Sequence, residues 1–320
     1  MSLPARLHDL AELAAEGVPL AQLTRAAETL SGRYRAEVQD GAWHVSGDLA
    51  ARSYLLTRFP ATFAAVSRAM QEVAAVRPDF APRTQLDVGA GPATAFWAAQ
   101  GIWESLADAL MLEGSPHMRD WGEKLSARAD AQANWQTVDV RRGLPDLPPR
   151  DLVTLAYVLN ELAPDARAGL LLEMWERTAD TLLIVEPGTP AGWNRMLQAR
   201  NVLLAAGANL LAPCPHAQTC PLHAPDWCHF SQRVARSRLH RQGKGAELGY
   251  EDEKFIYLAV SRRAGEPFEA RVLTSPNTRS GLVNLKLCTA AGHLDGRTLS
   301  KRDGEAYKVA KRLDWGDKLD

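Results

Sequence analysis

Short apolar runs separated by helix-length segments occupy the middle of this 320-residue chain. The runs are TQLDV, ALMLE, WQTVDV, DLVTLAYVL and TLLIVEP, and KFIYLAVSR follows at residues 254–262. The segments between them, such as PDARAGLLLEMWERTAD, are long enough for helices. Alternating strand and helix patterns are typical of a mostly parallel sheet with helices on both faces. The sequence therefore predicts a doubly wound α/β fold.

The segments on either side of this pattern have a different periodicity. Residues 1–80 carry apolar side chains at i, i+3 and i+4 spacing, which predicts an N-terminal helical region. Pro60 is expected in the first turn of one of these helices. We expect the α/β domain to span residues 81–263, with a cysteine-rich insertion at 194–253 where the alternation breaks. Residues 264–320 are expected to form a small C-terminal β segment with a basic end.

Composition and hydropathy restrict the class of protein. Hydrophobic residues make up 46% and charged residues 23% of the chain, which is ordinary for a soluble globular protein. No apolar run approaches the length of a membrane span. The first residues, MSLPARLHDLAELAAEG, include acidic side chains and lack the apolar core of a secretion signal. We therefore expect a monomeric cytoplasmic protein with no membrane partner, whose clustered cysteines bind metal rather than form disulfides.

The loop LDVGAGPAT follows a predicted strand and precedes a predicted helix, which is the context of a nucleotide-cofactor site. Gly89 and Gly91, on either side of Ala90, allow a tight turn and close approach to a ligand, where a Cβ would clash. The loop lacks the third glycine of a dinucleotide fingerprint, and Pro92 fills the turn. A tight turn without a ligand is the alternative interpretation.

Acidic residues lie at or near the ends of the first three predicted strands. Asp87 can receive a cationic amine, and Glu113 can accept hydrogen bonds from the two hydroxyls of a ribose. Asp139, after the third run, can reach an adenine amine. The form D-x-G-x-G followed by a distant acid is typical of sites for S-adenosylmethionine, which has no pyrophosphate to hold. The predicted cofactor site therefore comprises Asp87, Gly89, Ala90, Gly91, Glu113 and Asp139.

All four cysteines lie in the second half of the chain, and three of them form a C-x5-C-x7-C array. Four thiolates can hold a zinc ion or an iron–sulfur cluster, and the residues alone leave both open. The commonest zinc spacing, C-x2-C, is absent, and two of the cysteines are followed by proline, as in ferredoxin-type runs. Cys288 stands alone on a predicted strand, where a buried apolar role is the alternative. The candidate metal ligands are Cys214, Cys220, Cys228 and Cys288.

The net charge of −1 is distributed unevenly. Residues 214–320 hold 18 basic and 13 acidic side chains, whereas residues 1–213 hold 19 and 25. A run of five basic residues without an acid, near Trp227, His229 and Phe230, is suited to phosphates and stacked bases of RNA. A solvated surface is the alternative reading of the run. The candidate RNA-binding residues are Arg233, Arg236, Arg238, Arg241 and Lys244.

Evidence for catalysis is sparser. Many amino-methylating enzymes carry an Asn/Asp-Pro-Pro-aromatic motif after the fourth strand, where this chain has YVLNEL. No cysteine lies at a strand end to act as a nucleophile on an RNA base. The catalytic residue is therefore unknown, and the candidates are Asn160 and Glu161, for which capping and hydrogen bonding at a strand end are the alternative.

Together these pieces resemble the methyltransferase-like proteins of the mitochondrial small ribosomal subunit and their bacterial relatives. The similarity runs from about residue 54 to 317, and its most specific part is the cysteine array with DWCHF. Other matching pieces are RFPATFAAV, LDVGAGPATAFWAA, LEGSPHMR, YVLNEL, VEPGTPAGW, LGYEDEKFIYLAV and DWGD.

The resemblance implies a Rossmann-like class I methyltransferase fold that binds S-adenosylmethionine through Asp87, Gly89, Gly91 and Glu113. It also implies a [4Fe–4S] cluster on the four cysteines, with zinc as the alternative, and assembly of the small ribosomal subunit on its RNA. Three functions stay open at this point. The protein methylates ribosomal RNA, serves as a non-catalytic assembly factor, or methylates a protein or small molecule.

Overall fold

The structure is a computed structural model that describes residues 3–36 and 43–320. Its N-terminal part is helical, as predicted. Pro60 lies in the first turn of the fourth helix, which is buried along most of its length against the main sheet. The four helices are α1 (Ala5–Leu13), α2 (Leu20–Arg35), α3 (Asp48–Thr57) and α4 (Phe59–Val76).

The main sheet has eight strands, which are β1 (Thr84–Val88), β2 (Asp108–Leu112), β3 (Gln132–Gln136), β4 (Arg150–Ala156), β5 (Thr178–Pro187), β6 (Asn209–Ala212), β7 (Phe230–Ala235) and β8 (Tyr250–Ser261). Their order is β3-β2-β1-β4-β5-β8-β6, and β7 pairs with the N-terminal half of β8. Strands β1 to β5 pair in parallel, whereas β8 runs antiparallel to β5, β6 and β7.

Helices cover both faces of this sheet, so the predicted doubly wound α/β fold is confirmed. Both faces of the sheet are apolar because side chains alternate along each strand. In β8, Phe255 and Tyr257 pack in the core on the α4 side, whereas Ile256 and Leu258 pack in the core on the other side. The order of the strands reverses between β1 and β4, where open α/β sheets bind their ligands. The remaining helices of this part are α5 (Thr94–Gln100), α6 (Pro116–Ser126), α7 (Pro164–Glu176), α8 (Pro190–Ala205) and α9 (Arg238–Gly243).

A second, antiparallel sheet forms the C-terminal part, which confirms the expected β segment. It has its own small apolar core, and Arg271 ties it to the helical part by pairing with Glu72 of α4. Its elements are β9 (Ala270–Val272), β10 (Asn277–Arg279), β11 (Leu282–Thr289), β12 (Leu294–Ser300), α10 (Glu305–Ala310) and β13 (Lys318–Leu319).

One predicted strand is misplaced. The run WQTVDV predicted a strand through residue 140, but β3 ends at Gln136. The physical reason is local, because the Asp139 carboxylate accepts a hydrogen bond from the Arg141 backbone N–H at 3.2 Å and caps a 3-10 turn at Val140–Arg142.

Within the described ranges, no helix is both long and apolar enough to span a bilayer.

Candidate functional site

A cavity of about 670 Å³ lies beyond the carboxyl ends of β1 to β4, at the point where the strand order reverses. The loops that follow these strands form its floor, and the N-terminal helical part supplies side chains that cover it. The floor includes Gly89, Gly91, Glu113, Gly114, Ser115, Val138, Val140, Tyr157 and Glu161, and the cover includes Tyr34, Trp43, His44, Val45 and Tyr54.

The glycine loop is held against the end of β2. The backbone N–H groups of Gly89 and Ala90 both donate to the Leu112 carbonyl, at 2.9 and 3.0 Å. Gly89 has φ of 68°, and a Cβ at this position would lie 2.6 Å from Cγ2 of Val158. Gly91 also has a positive φ, of 56°. The backbone at this edge of the cavity therefore requires glycine, as the sequence predicted.

Glu113 connects the glycine loop to the loop after β2. Its Oε2 accepts a hydrogen bond from the Gly91 N–H and its Oε1 accepts one from the Ser115 N–H, both at 2.7 Å. Burial raises the pKa of Glu113, and the backbone donors oppose that rise. Each carboxylate oxygen keeps acceptor capacity beyond these bonds, so the group can still receive hydroxyl donors from a ligand in the cavity.

Asp87 and Asp139 occupy different surroundings from those of Glu113, and neither lines the cavity. Asp87 is buried behind the glycine loop, where Oγ1 of Thr154 donates to its Oδ1 at 2.7 Å, and burial raises its pKa to about 7. Asp139 pairs with Arg141, whose Nε lies 2.7 Å from Oδ1 and lowers the pKa of that carboxyl. Their direct contacts with a cofactor stay predictions.

The segment after β4 supplies one of the two catalytic candidates to the cavity. Glu161 lines the cavity, and burial, together with the charges of Glu113 and Glu186, raises its pKa to about 8. Asn160 is only 2% exposed and does not line it. Tyr157, which sequence reasoning did not assign, lines the cavity with φ of 61°, an uncommon conformation for a residue with a side chain.

The N-terminal cover was also missed at the level of sequence. Trp43 approaches Gly114 so closely that a Cβ there would lie 2.5 Å from the indole, and the Arg141 guanidinium stacks on the indole at 4.0 Å from its ring. His44 stacks on Tyr34 with ring centroids 4.7 Å apart. These residues carry no motif, because distant segments contribute them and only the fold brings them together.

The four cysteines line a second cavity, of about 520 Å³. Cys214, Cys220 and Cys228 lie on the connection between β6 and β7, and Cys288 lies on β11 of the C-terminal sheet. Burial raises the pKa of the Cys214 and Cys228 thiols, and raises that of Cys288 to about 12. In the part of the chain that the structure describes, no three His, Cys, Asp or Glu side chains converge closely enough to hold a single metal ion.

Cationic and polar groups surround these thiols. Arg200 is 4% exposed and donates from Nη2 to the carbonyls of His216 and Gln218, at 3.0 and 2.7 Å. No ion pair joins it to a carboxylate among the described residues, and its charge lowers the pKa of Cys214 against the larger effect of burial. Nε2 of His216 lies 3.4 Å from Sγ of Cys288. The cavity thus combines four thiols with an uncompensated buried cation.

The basic run is partly neutralised by β8. Arg236 and Lys244 both pair with Oε2 of Glu251, at 2.8 and 2.5 Å, and Arg233 pairs with Asp252 at 2.8 Å. The other two members of the run are Arg238 and Arg241. Neither forms an ion pair with a described residue, and both border a shallow surface notch.

The aromatic residues beside the run pack into the protein. Phe230 is 2% exposed and packs against Phe255 and Tyr257, so the expectation that it stacks on bases is wrong for this arrangement. Trp227 stacks on His229, with ring centroids 5.0 Å apart, and donates from Nε1 to the Gly188 carbonyl at 3.1 Å.

The fold and the cavity at the strand reversal define a protein of the doubly wound, Rossmann-like α/β class. Over residues 48–320 the chain matches the model of the Rsm22 family, described as mitochondrial small ribosomal subunit Rsm22. The chain belongs to this family.

A human relative is the ribosome assembly protein METTL17, mitochondrial, which is 32% identical over 287 residues. The match covers 83% of this chain and 61% of METTL17, so the chain spans about three fifths of that relative.

Solved structures with a similar fold include the N-methyltransferase NodS of Bradyrhizobium japonicum WM9 with S-adenosyl-L-homocysteine (12% identity, 73% of this chain, 97% of NodS, TM-score 0.42). Another is magnesium protoporphyrin IX methyltransferase of Synechocystis PCC 6803 with bound SAM (12% identity, 78% of this chain, 99% of that chain, TM-score 0.41).

Proposed function

We propose that this protein is an assembly factor of the small ribosomal subunit that binds S-adenosylmethionine, holds a [4Fe–4S] cluster and contacts ribosomal RNA. Membership of the Rsm22 family over residues 48–320 carries the proposal, because the matched region contains the floor of the cofactor cavity, the cysteine cavity and the basic run. The relative METTL17 bears the name of a ribosome assembly protein. We also propose that the protein is a cytoplasmic monomer.

The cofactor cavity supports S-adenosylmethionine as its ligand. Its floor combines a glycine backbone free of Cβ atoms with the Glu113 carboxylate, which is suited to ribose hydroxyls. The aromatic cover, which includes Trp43 and Tyr34, offers flat apolar faces to a purine. The ligand carries positive charge at its sulfonium and amine, and this charge would favour the ionised form of the Glu161 carboxyl group on the floor.

Four thiols share the cysteine cavity, and four thiolates are the ligand set of a zinc ion or a [4Fe–4S] cluster. No three of the described His, Cys, Asp or Glu side chains come close enough to hold one metal ion. We propose the cluster rather than zinc because of the family resemblance. Such a cluster with four thiolates is negatively charged, and Arg200 provides a buried positive charge beside it. Bound there, it would supply a covalent link between the β6–β7 connection and β11.

The RNA contact that we propose centres on Arg238 and Arg241. The three other basic residues of the run are engaged by Glu251 and Asp252, which reduces their attraction for phosphates. Arg238 and Arg241 lie side by side at a surface notch on α9, where two guanidinium groups can each bind a phosphate. Binding of this kind is salt-sensitive and depends little on sequence.

A second candidate function is methyl transfer to ribosomal RNA. The observation that favours it is Glu161, a carboxyl group on the cavity floor whose pKa of about 8 suits a general base near neutral pH. Assembly without methyl transfer agrees better with the sequence, which lacks the acceptor motif of amino-methylating enzymes. Methylation of a protein or small molecule remains the third possibility, and it predicts no salt-sensitive binding to RNA.

The test uses a strain that lacks the gene. Every methylated position of small-subunit ribosomal RNA and the amount of mature subunit are compared with wild type. We expect fewer mature subunits with all methyl groups present, and recovery when the Glu161→Gln variant is supplied. Loss of one methyl group that wild-type protein restores and Glu161→Gln does not would instead establish the enzyme. Normal subunits with normal methylation would refute both.

A further inference from the structure

Five polar residues that line the cysteine cavity each have a buried side-chain atom without a hydrogen-bond partner among the described residues. The atoms are Nε1 of Trp193, Nε of Arg200, Nδ1 of His216, Oη of Tyr257 and Nη2 of Arg271. Trp193, Tyr257 and Arg271, which we call the cavity donors, are 7%, 1% and 1% exposed. Buried donors in folded proteins nearly always have an acceptor, so this concentration around a single cavity indicates an acceptor inside it.

The cavity itself limits what this acceptor can be. Apart from these five polar residues, it is lined by apolar side chains and by the four cysteines, so sulfur is the acceptor that it offers in number. Cys228 lies near enough to Tyr257, and Cys214 near enough to Arg271, that an ionised thiol would raise the pKa of each partner. One nitrogen–sulfur contact is already formed, between His216 and Cys288.

Arg271 is fixed in place by its other contacts. Its Nε donates to the Pro213 carbonyl at 2.9 Å and its Nη1 donates to the Gly316 carbonyl at 2.7 Å, in addition to the pair with Glu72. These bonds leave only Nη2 free, and the residue lines the cavity. A guanidinium held this rigidly presents its remaining donor in one direction at little entropic cost.

We propose that Trp193, Tyr257 and Arg271 donate hydrogen bonds to the sulfur atoms of the iron–sulfur cluster and raise its reduction potential. This inference rests on the cluster of the proposed function and assigns roles to residues outside the cysteine set. Hydrogen bonds to sulfur stabilise the more negative, reduced cluster, so they move the potential upward. The three residues are positioning groups, since the iron atoms are bound by cysteine alone.

The test compares the wild-type protein with Tyr257→Phe and Trp193→Phe, which remove a donor and keep the ring. Each protein is purified anaerobically, assayed for iron and sulfide, and titrated while the cluster is followed by electron paramagnetic resonance. We expect full iron content in both variants, a shift of the midpoint potential to lower values, and a larger shift in the double variant. Tyr250→Phe is the matched control, because Tyr250 lies on the same strand but is exposed and outside the cavity.

A second readout reports the hydrogen bonds directly. In deuterated buffer, exchangeable protons coupled to the reduced cluster should be visible by electron–nuclear double resonance, and Tyr257→Phe should lose one of them. If wild type and both variants share the same potential and the same proton couplings, the inference is wrong while the cluster stands. If wild-type protein carries zinc or no metal, the cluster itself fails and the inference fails with it.

Discussion

Sγ of Cys288, on β11 of the C-terminal sheet, lies 3.4 Å from Nε2 of His216, on the connection that follows β6 of the main sheet. The Cys214, Cys220 and Cys228 thiols lie on the same connection and line one cavity with Cys288. The cysteine site is therefore assembled from both sheets. A cluster bound there would hold the two sheets together.

Removal of iron from the proposed cluster should loosen the C-terminal sheet. We expect a chelator under reducing conditions to increase deuterium exchange in residues 213–228 and 282–289, with β1 and β4 unchanged. Loss of a covalent cross-link of this kind costs about 2–5 kcal/mol of stability. The Cys288→Ser variant should show the same pattern without the chelator. Equal protection with and without iron would mean that the cluster does not link the sheets.

Substitution of Gly89 should abolish cofactor binding. In Gly89→Val the new Cβ would lie 2.6 Å from Val158 at a φ of 68°, so we expect affinity for S-adenosylmethionine to fall more than tenfold. Stability should fall by about 1–3 kcal/mol, as for other strained positions. Calorimetric titration measures the affinity. Gly101→Ala is the control and should bind normally, because a Cβ at the end of α5 would make only ordinary van der Waals contacts. Loss of iron together with S-adenosylmethionine binding in Gly89→Val would indicate general unfolding instead.

The charge state of Glu161 should make stability depend on pH. Its pKa is about 8 in the folded protein against 4.5 for the free side chain, so the folded state keeps a proton that the unfolded chain loses. Unfolding free energy should therefore fall by about 2–4 kcal/mol as pH rises from 4.5 to 8. Glu161→Gln should remove this fall in chemical denaturation, whereas the exposed-site variant Glu247→Gln should keep it. Parallel curves for wild type and Glu161→Gln would contradict the prediction.

Glu251 should anchor α9 to β8. Arg236, Lys244 and His240 surround its carboxylate and lower its pKa, so it stabilises the fold above pH 4.5 and loses this effect as the solution is acidified. We expect Glu251→Gln to cost about 1–3 kcal/mol at pH 7 and less at pH 4, measured by thermal unfolding. Asp252→Asn, which breaks only the exposed pair on the same strand, should have little effect. An equal loss in both variants would argue against the anchor.

The RNA binding that we propose should depend on Arg238 and Arg241. The variant with both Arg238→Ala and Arg241→Ala is expected to bind small-subunit RNA more weakly, whatever the sequence of the RNA fragment. The slope of log affinity against log salt should fall by about 2, because each phosphate contact contributes about 0.9. Filter binding across a salt series measures this slope. Arg83→Ala, a charge change outside the basic run, is the control, and an equal effect there would indicate only a general response to net charge.

Sequence patterning predicted much of the architecture because it reflects local and periodic constraints. The run TQLDV coincides with β1, and the glycines of the following loop adopt the positive φ angles that the motif requires. The end of β3 was misplaced, because the side chain of Asp139 caps a turn inside an apolar run. Hydrophobic periodicity does not register a hydrogen bond of that kind.

The doubly wound sheet, the glycine loop and the grouping of three cysteines could be predicted from sequence patterns, since each depends on residues close together in the chain. Which side chains share a cavity could not be predicted in this way. The tertiary structure places Trp43 against Gly114 at the edge of the cofactor cavity, buries Asp87 outside that cavity, and brings Cys288 and Arg271 into one cavity with the other thiols. It also pairs Arg236 with Glu251. Such contacts join residues far apart in sequence, and packing rather than local pattern selects them.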